Sequence, residues 1–176
     1  MDVFLLFKIF FWAFVALLVI AAVFDLWKFV IPNWIPVSLV GLFLAAGYFL
    51  PTPVDWLSHL GAMGAVFLGT LVLYRFHIIG GGDLKLLVAV ALWTGLGGLL
   101  EFVILTAVAG GVLSLGLLGL RRLLSGLLVL QTVPDRIAKA PLPRILLPGE
   151  PMPYGVAIAA GGILVARHLP QLGLFA

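Results

Sequence analysis

Runs of apolar residues, separated by short polar or proline-containing breaks, follow one another along this chain. A helix that crosses a bilayer needs roughly 20 mostly apolar residues, with a range of about 17–25. The fourth and sixth runs are shorter than this, and the other runs reach or approach it. The pattern predicts an all-α, polytopic membrane protein with six transmembrane helices, over residues 4–24, 34–50, 56–74, 84–97, 102–120 and 152–166.

Composition supports a membrane protein. Of the 176 residues, 64% are hydrophobic and 10% are charged, whereas soluble domains are about 45–50% apolar and about 25% charged. A chain this small cannot bury such an excess in its own core, so lipid must solvate most of it. The first apolar run begins after Met1-Asp2 without a basic region, so we expect it to be retained rather than cleaved. Residues 1–176 are predicted to form a single transmembrane domain.

Positive charge predicts the orientation, because Lys and Arg collect in cytoplasmic loops. If the N-terminus lies outside, only Lys8 and Arg167 of the ten Lys and Arg residues are outside. The other eight fall in inner loops: Lys28, Arg75, Lys85, Arg121, Arg122, Arg136, Lys139 and Arg144. Both termini are therefore predicted on the outer side. Since these charges are spread over the loops rather than clustered, no nucleic-acid partner is expected.

The residue content excludes several chemistries. Cysteine is absent, which excludes disulfides, thiol catalysis and Cys-ligated zinc. The three histidines, His59, His77 and His168, fall in separate segments without a short ligand spacing. The sequence therefore predicts no metal site and no other cofactor.

One long loop is predicted, over residues 121–151. Arg121-Arg122 is expected to end the fifth helix, and five prolines follow within this segment. The apolar stretch 123–130 is too short to cross a membrane. We interpret it as an extension of the fifth helix or as an interfacial segment.

Two of the seven acidic residues, Asp25 and Asp83, directly abut apolar helices. A charge within a membrane helix costs about 2.5–3.5 kcal/mol on insertion scales, so such a residue is a functional candidate. The alternative is an ordinary charge at a helix boundary. The first helix runs inward and the fourth outward, so both aspartates are predicted in the inner leaflet. If they meet, they can share a proton as in aspartic peptidases.

The residues around these aspartates form recognisable strings. Gly80 to Lys85 reads Gly-Gly-Gly-Asp-Leu-Lys, and Asp25 is followed at Ile31-Pro32-Asn33 by Ile-Pro-Asn. A third string, Pro153-Tyr154-Gly155, opens the last apolar run. In this order the strings resemble the G-x-G-D-x-K, first-aspartate and Pro-Tyr-Gly motifs of type IV prepilin peptidases.

The resemblance implies an aspartic endopeptidase of the cytoplasmic membrane with Asp25 and Asp83 as its catalytic pair. It also implies cleavage after a glycine, at the cytoplasmic face, of the short basic leader of a prepilin whose apolar helix lies in the same membrane. Substrate binding or support of the motifs would come from Pro32, Asn33, Gly80, Gly82, Lys85, Pro153, Tyr154 and Gly155. Plainer roles remain open: Asn33 as the cap of the second helix, Lys85 as an interfacial anchor and the glycines as packing positions.

Other assignments also remain open. A G-x-G-D motif is shared by presenilin-like intramembrane peptidases and archaeal preflagellin peptidases, and two intramembrane acids could form a proton relay in a small transporter. The larger members of the resembled family have paired Cys-x-x-Cys motifs and N-methyltransferase activity. Without cysteine, this chain resembles the short, peptidase-only branch associated with Flp-type tight-adherence pili.

Overall fold

The computed structural model describes residues 3–51, 53–129, 143–147 and 149–169. These residues form five α-helices and one short 3-10 helix, and none of them lies in a strand. The α-helices are α1 (Val3–Lys28), α2 (Trp34–Phe49), α3 (Trp56–Arg75), α4 (Gly81–Val129) and α5 (Tyr154–Ala166), and the 3-10 helix is Arg144–Leu146. The predicted all-α class is confirmed for this part of the chain.

The chain turns back on itself inside α4, at Gly95. Val90 precedes this residue and Thr106 follows it, yet they lie against the adjacent glycines Gly162 and Gly161 of α5. In a straight helix Val90 and Thr106 would be about 24 Å apart at about 1.5 Å per residue. The two arms of α4 are therefore antiparallel, and they correspond to the predicted fourth and fifth helices.

Glycine is required at this reversal. Gly95 has φ 59° and ψ 179°, a region open essentially to glycine alone. The N-terminal turn of α3 holds the reversal in place: Ser58 Oγ accepts a hydrogen bond from the amide of Leu96 at 2.9 Å, and His59 Nδ1 bonds the carbonyl of Leu92 at 2.7 Å. His59, an interruption of the apolar pattern, thus serves to satisfy backbone groups at a helix end.

The prediction that Arg121-Arg122 ends a helix is wrong, because α4 continues to Val129. The alternative in which the stretch after Arg122 extends the helix is confirmed as far as Val129. Arg121 is only 8% exposed, and its guanidinium donates to the carbonyls of Ile145 and Glu150 at 2.8–3.0 Å. A buried cation needs such partners in place of water. Within the predicted loop, residues 130–142, with Arg136 and Lys139, and residue 148 lie outside the described residues.

Three helical stretches are long and apolar enough to cross a membrane: Val3–Lys28, Trp56–Arg75 and Gly81–Gly126. α2 and α5 are apolar but shorter. Large apolar side chains such as Trp12, Leu57 and Leu115 are more than half exposed, which suits a lipid-facing surface. Crossing by all six segments, and the placement of the termini outside, stay predictions.

The core lies where α1, α2 and the first arm of α4 meet. The Trp93 ring packs against Phe14 and Phe43, with ring centroids 4.9 and 5.4 Å apart. Its indole Nε1 donates to the carbonyl of Leu39 at 3.0 Å, so the polar atom of this ring has a hydrogen-bond partner in the apolar interior. This packing fixes α1 against α4, and with them the positions of Asp25 and Asp83.

Candidate active site

A cleft of about 1350 Å³ opens at one end of the bundle, where α1 and α3 end and α4 and α5 begin. We call this the motif end. Both Asp25 and Asp83 line the cleft, together with residues of the α1–α2 turn, of the α3–α4 connection and of the segment before α5. The two aspartates, 58 positions apart in sequence, thus share one open cavity.

Asp25 lies in the last turn of α1 and is 5% exposed. Its Oδ2 accepts a hydrogen bond of 2.7 Å from the backbone amide of Gly155. α5 begins at Tyr154, so this amide is one of the first-turn N–H groups that have no partner within their own helix. The Asp25 carboxylate therefore caps α5, at the helix end whose dipole favours a negative charge.

Asp83 lies in the first turn of α4 and is partly buried. Its Oδ2 accepts from the amide of Gly80 at 3.3 Å. Each carboxylate consequently lies at the N-terminus of a helix, α4 for Asp83 and α5 for Asp25, and both face the same cleft.

Ile31 is the residue against which these elements pack, and it was not among the sequence candidates. A Cβ added to Gly82 would lie 3.2 Å from the Cβ of Ile31, and one added to Gly155 would lie 2.9 Å from its Cδ1. A side chain at Gly155 would force a shift of its neighbours, and one at Gly82 would make a tight contact, so glycine at both positions favours the close approach of α4 and α5 to the α1–α2 turn. At Gly82 the packing role considered for the glycines is therefore also a role in the site, because close packing brings the aspartates together.

Asn33 and Lys85 bond to each other at the cleft. Lys85 Nζ donates to Asn33 Oδ1 at 2.8 Å. Asn33 directly precedes α2, but its side chain makes no capping hydrogen bond, so the expectation that it caps this helix is wrong. The pair instead ties the α1–α2 turn, which follows Asp25, to the first turns of α4, which carry Asp83.

A double-mutant cycle tests this tie. Asn33→Ala and Lys85→Ala should each lower the free energy of unfolding by about 0.5–1.5 kcal/mol, the usual net value of a hydrogen bond. The double variant should lose no more than either single variant, because both remove the same bond. Unfolding of the four proteins in detergent measures the coupling. Arg122→Ala is the control, and its effect on the free energy of unfolding should add to that of Asn33→Ala. If the effects of Asn33→Ala and Lys85→Ala also add, the tie is contradicted.

The remaining sequence candidates divide into two groups. Gly80 and Tyr154 line the cleft. Pro32 and Pro153 do not, and they lie in the adjoining turns, where their carbonyls accept from Ile35 and Val156 at 3.1 and 3.2 Å. Their contribution is to set the turns that precede α2 and α5.

Sequence reasoning missed two further cleft residues, Phe29 and His77. Both have a positive φ although neither is glycine, and both line the cleft. No signal in the sequence marks them, because Phe29 lies five residues beyond the predicted end of the first helix and His77 lies three beyond that of the third.

Two carboxylates in one cleft can carry out acid–base hydrolysis. One ionised carboxylate takes a proton from a water molecule as it attacks a carbonyl carbon, while a protonated partner donates to the carbonyl oxygen. In the described part of the chain, no three His, Cys, Asp or Glu residues come together as metal ligands would. Asp25 and Asp83 both line the cleft, where such a reaction could use them.

Comparison with known proteins gives one match. The model of the type IV leader peptidase family matches residues 12–115, a stretch that contains Asp25, Asp83 and both arms of α4 up to residue 115. Pro153, Tyr154 and Gly155 lie beyond the matched stretch, although Gly155 bonds directly to Asp25. No curated protein and no solved structure matches the chain.

Proposed function

The chain belongs to the type IV leader peptidase family, and we propose that it is an aspartic endopeptidase that removes the short basic leader of a prepilin-like protein in the cytoplasmic membrane. A membrane-embedded peptidase is what the family and the apolar helices support directly. The aspartic mechanism, the prepilin substrate and the cytoplasmic position of the site are the further steps that we propose. Membership of a peptidase family argues against a proton-coupled transporter.

The observation that carries the proposal is the convergence of Asp25 and Asp83 on one cleft at two helix N-termini. In the proposed reaction, one aspartate accepts a proton from water and the other protonates the carbonyl oxygen of the scissile peptide bond. Neither residue forms a covalent bond to the substrate. The glycine run at Gly80 to Gly82 leaves backbone free of side chains beside Asp83, which suits an extended peptide strand.

One part of the proposed substrate lies in lipid and the other part lies in water. Its apolar helix stays in lipid, and its leader enters the cleft from the aqueous side. The walls of the cleft suit such a substrate, because the end of α3 presents exposed apolar side chains, Leu71, Val72 and Phe76 among them, beside Asp25 and Asp83. Lipid is therefore the second partner, since it has to solvate both the enzyme and the helix of its substrate.

A cleavage assay without added cofactor tests this function. The purified chain is reconstituted in lipid nanodiscs with a synthetic peptide that carries a basic leader ending in glycine, followed by roughly 20 apolar residues. Mass spectrometry should detect a single cut that releases the leader. EDTA should leave the rate unchanged, because the proposed reaction uses two carboxylates and water. Loss of activity in EDTA that zinc restores would point to a metallopeptidase, and absence of any cut would overturn the function.

A further inference from the structure

Two residues of the cleft wall have an unusual backbone. Phe29 has φ 52° and His77 has φ 58°, and they are the only non-glycine residues with a positive φ in the described ranges. Phe29 directly follows the last residue of α1, and His77 lies two residues after the end of α3. Both line the cleft that contains Asp25 and Asp83. The two departures from ordinary backbone geometry are thus found at the candidate site.

Glycine would adopt this conformation without strain. Left-handed residues just after a helix are usually glycine, and a bulky residue such as phenylalanine is a genuine outlier there. The chain has glycine nearby, at Gly80, Gly81 and Gly82. Strain of this kind persists only where the surrounding structure enforces it, and it clusters at functional sites. The Phe29 and His77 side chains are therefore candidates for a contribution that glycine cannot make, although histidine tolerates this backbone better than phenylalanine does.

Contacts within the chain do not supply that contribution for His77. Its side chain is exposed and makes no hydrogen bond or ion pair with any residue that the structure describes. All residues from 71 to 78 are exposed, so little of this wall is covered by the part of the chain that the structure describes. Phe29 is partly buried, and the guanidinium of Arg144 lies 5.6 Å from its ring centroid. The ring nevertheless remains part of the cleft lining.

Backbone hydrogen bonds hold both strained residues at helix ends, Phe29 at the end of α1 and His77 at the end of α3. The amide of Phe29 donates to the carbonyl of Asp25 at 2.9 Å, which continues the last turn of α1. The amides of His77 and Ile78 donate to the carbonyls of Tyr74 and Leu73 at 3.0 Å, which closes the end of α3 just before the glycine run that leads to Asp83. Phe29 and His77 are consequently held by backbone bonds at the ends of α1 and α3, in the lining of the cleft that contains Asp25 and Asp83.

We propose that Phe29 and His77, which line the cleft of Asp25 and Asp83, bind the substrate. This rests on the proposed function. The Phe29 ring supplies an apolar face for a side chain of the substrate, and the His77 imidazole hydrogen-bonds the backbone of the extended leader. The left-handed backbone keeps both rings in the path of the peptide, and the free energy lost to strain is recovered when substrate binds. Both are binding residues, and neither takes part in the proton transfers.

Glycine substitutions separate binding from stability. Phe29→Gly and His77→Gly remove the side chain and also relieve the strain. With the leader peptide described above in nanodiscs, KM should rise about tenfold for each variant while kcat changes by no more than about threefold. The midpoint of thermal unfolding should stay the same or rise. A residue with a purely structural role would instead lower this midpoint and leave KM alone.

Two further variants and two controls complete the test. Phe29→Ala and His77→Ala delete the same contacts without glycine's flexibility, and KM should rise for them as well. Trp27→Ala and Leu73→Ala truncate neighbouring exposed side chains that do not line the cleft, and KM should not change. Suppose that the wild-type chain cuts the peptide. If both glycine variants then keep the wild-type KM, or if they lose activity together with stability, substrate binding by these residues is refuted and the proposed function stands. If the wild-type chain does not cut the peptide, both proposals fail.

Discussion

Asp25→Asn and Asp83→Asn should each abolish leader cleavage while leaving the protein inserted and folded. Asparagine nearly preserves the volume of aspartate but cannot exchange a proton at neutral pH, so neither variant can both activate water and protonate the carbonyl oxygen. Acid–base catalysis by a positioned group contributes about 10²–10⁴-fold, so turnover should fall by at least that factor. The measurement is the rate of leader release per mole of folded protein in nanodiscs.

Asp55→Asn is the matched control. Asp55 caps α3, where its Oδ1 accepts from the amide of Ser58 at 3.2 Å, and it does not line the cleft. Asparagine caps a helix about as well as aspartate, so the control should keep both activity and stability. Substantial turnover by Asp25→Asn or Asp83→Asn, at wild-type abundance, would remove that residue from the mechanism.

Gly155→Ala should cause the second large loss. The added Cβ would lie 2.8 Å from Asp25 Oδ2 and 2.9 Å from the Cδ1 of Ile31, closer than real carbon atoms approach such neighbours. Either α5 or the Asp25 side chain must move, and the 2.7 Å bond from the Gly155 amide is then stretched or broken. Because a misplacement of about 1 Å in a site can cost about 10²-fold in rate, kcat should fall by about that factor.

Gly111→Ala is the control for this substitution. Gly111 lies in the second arm of α4, and a Cβ there meets no atom within 4 Å. Alanine is favoured over glycine inside a helix by about 1 kcal/mol, so this variant should be as active as wild type and at least as stable. Full activity of folded Gly155→Ala would mean that the contact between α5 and Asp25 is not needed for catalysis.

Local pattern was sufficient to predict much of the fold. The length of each apolar run predicts the helices, and counting runs places Asp25 and Asp83 at the same end of the bundle. In the structure both line the cleft at that end. Both lie slightly inside their helices, because α1 extends to Lys28 and α4 begins at Gly81. Such small shifts are expected, since helix boundaries depend on capping and not on hydrophobicity alone.

Long-range partners explain what could not be predicted. Arg121 has the pattern of a helix stop, but the carbonyls of Ile145 and Glu150 solvate its guanidinium and allow the helix to continue. Those partners lie 24 and 29 residues away in sequence. The same holds for Gly155 and Asp25, which are 130 residues apart. Apolar periodicity carries no information about which distant groups meet, so the geometry of the site emerges only from the packed helices.

The absence of cysteine allows a direct test of the pairing on which the mechanism depends. A single pair of cysteines is introduced at Asp25 and Asp83, and the membrane-embedded protein is treated with a short bifunctional thiol reagent. Gly110 and Ala157 give the positive control pair, because a Cβ at Gly110 would lie 3.5 Å from the Cβ of Ala157. Trp27 with Asp83 gives the negative control, because Trp27 is 77% exposed and outside the cleft. Mass spectrometry of the digested monomer should detect a cross-link between positions 25 and 83 as readily as in the positive control. A cross-link in the positive control without one between positions 25 and 83 would contradict a shared cleft, and with it the proposal that these two aspartates act as a pair.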